Sequence, residues 1–128
     1  MRVIIEALNL HSDARGAVVE PLDGEALVAQ KNVHVAVSQP GSVRGNHYHQ
    51  LGTEIITVIG PALARFREGD QITDVPVAEG EAVRFTFPPG ISHAVKNTGA
   101  QPCIMIAFNT IVHDRNAPDV FRDVLIES

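Results

Sequence analysis

The sequence predicts an all-β domain, a sandwich or barrel of short strands. Ten Gly and eight Pro in 128 residues spread turn-forming positions along the whole chain. The stretches between them read as roughly nine or ten short strands, with turn signals about every eight to twelve residues. Several of these stretches alternate with the two-residue period of a half-buried strand. The cleanest is Ala82 to Phe87, where Val83, Phe85 and Phe87 share one face.

The composition sets further bounds. At 45% hydrophobic and 20% charged, the chain is globular rather than disordered. Its length suits one domain, residues 1–128, with a substantial core. A net charge of −5 gives no electrostatic reason to expect nucleic acid as a partner. The N-terminal apolar run is too short for a signal peptide, and no stretch approaches a membrane span. The expectation is a soluble cytoplasmic protein with no membrane partner. A single cysteine, Cys103, rules out a disulfide within the chain and reads as a small buried thiol.

In order, Val3 to Leu8 reads as a first strand, apolar enough to pair across the two-fold axis of a homodimer. The polar stretch His11 to Gly16 reads as a turn and Asp23-Gly24 as another. Leu27-Val28-Ala29 and Val33 to Val37 read as strands; on the second, Val33, Val35 and Val37 share one face and His34 and Ala36 the other. Ala62 to Arg67, Ile72 to Val77, Ala82 to Phe87, Ile91 to Asn97 and Cys103 to Phe108 follow, each bounded by a turn. Near the end, Asp119 to Ile126 places Val120, Phe121, Val124 and Leu125 at helical spacing, which predicts a short C-terminal helix.

The chemistry concentrates between Gly41 and Gly60. His47 and His49 are two apart, so on a strand they project together while Tyr48 turns away. Gln50 to Thr53 reads as a tight connection, and Glu54 opens the strand Glu54 to Ile59, so a hairpin would set Glu54 beside both imidazoles. His93, just past Pro88-Pro89-Gly90, offers a third imidazole. Three histidines and a carboxylate suit a divalent metal or acid–base work. Zinc, iron, manganese, nickel and copper all fit such a set, and the set alone does not choose among them.

Gly41, His47-x-His49, Glu54 and Gly60 resemble the first signature of the cupin superfamily. Gly80, Pro88-Pro89-Gly90, His93 and Asn97 resemble the second. The last glycine of the first signature comes one residue early, and Gly80 lies further from Pro88 than usual. This resemblance implies a small jelly-roll β-barrel in which His47, His49, Glu54 and His93 converge on a metal, zinc being favoured. Within the superfamily, Arg44 to His49, Ala62 to Arg67, Phe108 to Asp114 and Ala117 to Phe121 resemble the C-terminal cupin domain of bifunctional capsular-polysaccharide enzymes. Those enzymes epimerise and then reduce UDP-4-keto-amino sugars. Their reductase half is a separate nucleotide-binding domain with no counterpart in these 128 residues. The chain also departs from that group near Val112, where the group tends to carry Glu, and near Asn109, where it tends to carry an aromatic residue.

A more distant resemblance is to the dTDP-4-keto-6-deoxyglucose 3,5-epimerases, through Arg44-Gly45-Asn46-His47, Asp13-Ala14-Arg15-Gly16 and Glu20. It implies that Arg44, Arg15 and Glu20 hold a nucleotide-sugar and that His47 is a metal-free base. Both likenesses imply proton abstraction beside a ketone. On the metal reading the base is another residue, with His34 and Tyr48 as candidates. On the metal-free reading His47 takes the proton and Glu54 or His93 orients it. Other readings are a different metal-dependent cupin enzyme, such as a dioxygenase or small-sugar isomerase, a non-catalytic module binding a sugar or small ligand, and an interaction domain.

Overall fold

The computed structural model describes residues 2–127. Its strands are β1 (Ile4–Leu8), β2 (His11–Asp13), β3 (Gly16–Val18), β4 (Asn32–Ser38), β5 (Val43–Tyr48), β6 (Glu54–Ile59), β7 (Ala62–Glu68), β8 (Gln71–Val77), β9 (Ala82–Phe87), β10 (Ser92–Asn97), β11 (Cys103–Asn109) and β12 (Phe121–Arg122), with one short helix, α1 (Gly24–Val28). Two five-stranded antiparallel sheets face each other. One runs β1-β9-β6-β11-β4 and the other β12-β5-β10-β7-β8, while β2 and β3 form a separate hairpin. This is the all-β cupin barrel that the sequence predicted.

The two-residue period decides what goes inside. Phe85 and Phe87 of β9 are buried, as the alternation required, and meet Phe66 of β7, Val58 of β6, Val95 of β10 and Met105 of β11 between the sheets. Burying each such side chain contributes about 1.5–3 kcal/mol. On β4 the usual assignment is reversed: Val33, Val35 and Val37 are the outward residues, 56%, 61% and 53% exposed. Their alternate neighbours, Asn32, His34 and Ala36, line an interior cavity.

Three expectations are corrected. The segment Leu27-Val28-Ala29 is not a strand; the Glu-Ala-Leu run favours a helical turn, which becomes α1. Asp119 to Ile126 is not a helix, because other residues claim its polar backbone in an extended form. Phe121 and Arg122 pair with Tyr48 and His47 as β12, the Asp123 N–H donates to the Asn46 carbonyl at 2.7 Å, and the Asn46 side chain accepts from the N–H groups of Leu125 and Ile126. Val3 to Leu8 does form a strand: β1 ends its sheet and pairs on one side with β9, Ile4 against Thr86 through Leu8 against Ala82. Finally, β5 and β6 do not form a hairpin. They belong to opposite sheets, and residues 49–53 cross between them.

Candidate metal centre

The crossing from one sheet to the other builds the site. His47 lies on β5 and His49 directly after it. His93 lies opposite His47 on the neighbouring β10, while Glu54 begins β6 in the facing sheet. Between His93 and Ala94 the β5–β10 register shifts by one residue. The extra residue is accommodated at Gly45 and Asn46, which take φ of 91° and 56°, a left-handed conformation that Gly and Asn tolerate best. Gly45 is also required by space, since a Cβ there would lie 2.7 Å from the His93 carbonyl oxygen.

Four ligand atoms converge. One from each of His47, His49, Glu54 and His93 lies within 4.8 Å of all the others. The His93 Nε2 is 2.7 Å from Glu54 Oε1, the His49 Nε2 3.2 Å from Glu54 Oε2, and the His47 Nε2 3.9 Å from Oε1. On the far side of two of the rings, Nδ1 of His93 faces the Ile91 carbonyl at 3.0 Å, and Nδ1 of His49 faces the Asp119 carbonyl at 2.9 Å. A carbonyl can only accept, so these nitrogens carry the proton and donate it. The Nε2 lone pairs of His49 and His93 are thereby left pointing at a carboxylate. The His93 ring is further fixed by stacking on Phe87, with centroids 4.2 Å apart and planes 4° from parallel.

The electrostatics then call for a cation. Burial pushes the Glu54 carboxyl up, but the facing imidazoles of His47, His49 and His93 outweigh it and hold the pKa well below 4.5. Burial likewise disfavours a charged His49, but Glu54 and the Asp119 carbonyl outweigh it and raise the pKa above 6.5. An ionised carboxylate facing imidazole lone pairs is stable only when a proton or a metal ion sits between them. Nε2 donors backed by Nδ1–H···O=C bonds, with one carboxylate, are the donor set of a transition-metal site. The residues present fit such an ion.

The cluster opens into a cavity of about 650 Å³, lined among others by Asn32, His34, Arg44, Ile56, Met105 and Asn109. Arg44 is held at its wall by Nε donating to Ser38 Oγ at 3.1 Å. Of the remaining sequence candidates, His34 lines the cavity and three others do not. Tyr48 turns away, as the strand period requires, and stacks on Phe121 with centroids 5.4 Å apart. Arg15 sits on the exposed β2–β3 hairpin and pairs with Asp13 at 2.6 Å, and Glu20 is exposed outside the lining.

Sequence reasoning missed Asn32, Asn109, His113 and Asp119, all of which line the cavity. The first two were open to the strand period, being in phase with His34 and with Met105 and Ala107. Asp119 gave no such sign. Its carboxylate accepts the N–H groups of Gln50, Leu51 and Gly52 at 2.8–3.0 Å, fastening the segment that joins His49 to Glu54.

A double-sheet barrel with three histidines and a glutamate at one end of its interior is a cupin with a candidate metal centre. The chain belongs to the polysaccharide biosynthesis C-terminal domain family, whose model matches residues 11–121. It is 33% identical over 116 residues to the UDP-2-acetamido-2,6-beta-L-arabino-hexul-4-ose reductase of Pseudomonas aeruginosa, covering 88% of this chain and 30% of that protein. It resembles the crystal structure of the capsular polysaccharide assembling protein CapF from Staphylococcus aureus, with TM-score 0.69 and 27% identity, over 92% of this chain and 33% of that one. The chain therefore spans about a third of the length of these two relatives. Its fold is shared with QdtA of Thermoanaerobacterium thermosaccharolyticum, a sugar 3,4-ketoisomerase crystallised with TDP, at TM-score 0.71 and 16% identity over 94% of this chain and 88% of that one. Among the described residues, no helix is long and apolar enough to cross a membrane.

Proposed function

We propose that this chain is a metal-dependent isomerase or epimerase acting on a nucleotide-activated 4-keto-sugar in surface or capsular polysaccharide biosynthesis. The observation that carries the reading is the convergence of His47, His49, Glu54 and His93 at the end of a cavity that also presents His34 and Arg44. The relatives, a capsular polysaccharide assembling protein and a UDP-2-acetamido-2,6-beta-L-arabino-hexul-4-ose reductase, support the substrate class. The four side chains would hold one divalent ion, zinc being one of those such a set suits. When bound, such an ion supplies a Lewis acid that stabilises negative charge developing on a ketone oxygen.

The remaining chemistry belongs to the chain's own side chains. Arg44 offers the one guanidinium or ammonium among the cavity-lining residues, and it fixes the anionic phosphate end of the substrate. His34 sits on β4, opposite Ala107 of β11, which in turn lies opposite Ile56 of β6. Residues in register share a face, so the imidazole projects into the cavity two strands from the cluster. From there it takes the proton from the carbon beside the ketone, and imidazole suits that task near neutral pH. The apolar lining from Ile56, Val95, Met105 and Ala107 limits competing water around the reacting carbon.

A second reading keeps His47 as the base with no metal. It is favoured by the side-chain exposure of His47, 24% against 10% for His49 and 1% for His93, and by its longer distance to Glu54. Incubation with UDP- or dTDP-4-keto-sugars in D₂O separates the two. The metal reading expects deuterium at C3 or C5, abolished by chelation and by His34→Ala. The metal-free reading expects exchange that survives chelation and is lost in His47→Ala. No exchange across a panel of keto-sugars overturns both.

A further inference from the structure

On the inner face of the first sheet, Glu54 of β6 lies in register with Asn109 of β11, and Asn109 with Asn32 of β4. Side chains directly opposite each other point the same way, with Cβ atoms about 5 Å apart. One row thus carries a carboxylate and two amides, all of them lining the cavity. Asn109 is only 8% exposed, and its amide has a fixed orientation. The Ile111 N–H donates to Asn109 Oδ1 at 2.8 Å, and only the oxygen end of an amide can accept there. That oxygen also lies against Gly52, where an added Cβ would come within 2.4 Å of it. The Nδ2 end makes no hydrogen bond among the described residues, and Asn109 lines the cavity, so its two donors are open to a ligand there. The arrangement is a preoriented donor one strand away from Glu54.

We infer that Asn109 contacts substrate directly. Its Nδ2–H donates to a ketone, enolate or hydroxyl oxygen of a ligand seated against the His47–His49–Glu54–His93 cluster. This inference rests on the metal reading of that cluster and deepens it. A fixed amide donor needs no reorganisation as charge grows on the oxygen it faces, which is where such a contact contributes most.

The test uses Co²⁺-loaded protein and acetohydroxamate, a small oxygen ligand for metals, followed through the visible absorption of the cobalt. Asn109→Ala is expected to weaken acetohydroxamate binding tenfold or more while Co²⁺ affinity stays within twofold of wild type. Hydroxamate binding within twofold of wild type in that variant overturns the inference. Should Asn109→Ala fail to fold by circular dichroism, Asn109→Asp keeps the acceptor for Ile111 and removes the donor, and hydroxamate binding within twofold of wild type in that variant again overturns the inference. Failure of wild type to bind Co²⁺ overturns the metal reading and this inference with it. The titration requires no sugar turnover, so an Asn109 effect without deuterium exchange into any keto-sugar leaves this inference standing and removes the sugar assignment alone.

Discussion

Asp119 holds His49 from both of its ends. Its backbone carbonyl accepts the His49 Nδ1–H at 2.9 Å, and its carboxylate accepts three successive N–H groups, Gln50 to Gly52. A residue seventy positions further along the chain therefore fixes both the ring and the segment that carries Glu54 to it. Loss of such an outer partner typically costs about 10–100-fold in metal affinity. Asp119→Ala is expected to lower Zn²⁺ affinity about tenfold in a competition titration against a chromophoric chelator. An unchanged affinity would show that the segment keeps its shape without the carboxylate.

Metal and fold should be linked. An ion that binds only the folded chain stabilises it by about 2.7 kcal/mol when present at a hundred times its dissociation constant. Dialysis against a chelator is expected to lower the melting temperature, and Zn²⁺ to restore it. His93→Ala is expected to abolish the Zn²⁺ response and to melt lower than the wild-type apoprotein, because it empties the space against Phe87 and removes a partner of buried Glu54. Calorimetry with and without Zn²⁺ reads both effects.

Two glycines with positive φ should behave differently. At Gly45 an added methyl would meet the His93 backbone, whereas at Gly69, with φ of 58°, nothing lies within 4 Å. Gly69→Ala is expected to cost about 1 kcal/mol, the conformational penalty alone. Gly45→Ala is expected to cost more than about 2 kcal/mol and also to weaken metal binding, because His93 must shift. Urea melts with a parallel metal titration separate the two contributions.

Asp123 ties the tail to the sheet, accepting from Ser92 Oγ at 2.5 Å and from Arg67 Nη1 at 2.6 Å. The Ser92 hydroxyl foremost, then Arg67, holds its carboxyl below the ordinary 3.8 against the opposing effect of burial. A pKa depressed by folding gives stability that is present above the unfolded-state value and is lost as pH falls through the folded-state value. Wild type is therefore expected to be more stable than Asp123→Ala above pH 3.8, with the difference shrinking at lower pH. A gap that widens on acidification would contradict this role.

The sequence exposed what depends on local period and spacing. His47 and His49 had to share a face, Tyr48 had to turn away, and Phe85 with Phe87 had to go inward. What it concealed depends on partners distant along the chain. The extended tail 119–126 followed helical spacing in sequence, but Asn46 and the β5 edge compete for its backbone groups and win. Glu54 did reach the histidines, across the gap between two sheets rather than through a hairpin, because a connection of five residues can serve either geometry. The valines of β4 face outward because the cavity takes the polar side of that strand, a choice the alternation alone could not make.

The most direct test of the centre is a metal titration of the purified chain. Zn²⁺ or Co²⁺ is expected to bind at one equivalent per chain in wild type, with binding lost in Glu54→Gln and His49→Ala variants that remain folded. Wild type that takes up neither ion at millimolar concentration, or variants that bind as wild type does, would contradict the assignment of His47, His49, Glu54 and His93 to a metal.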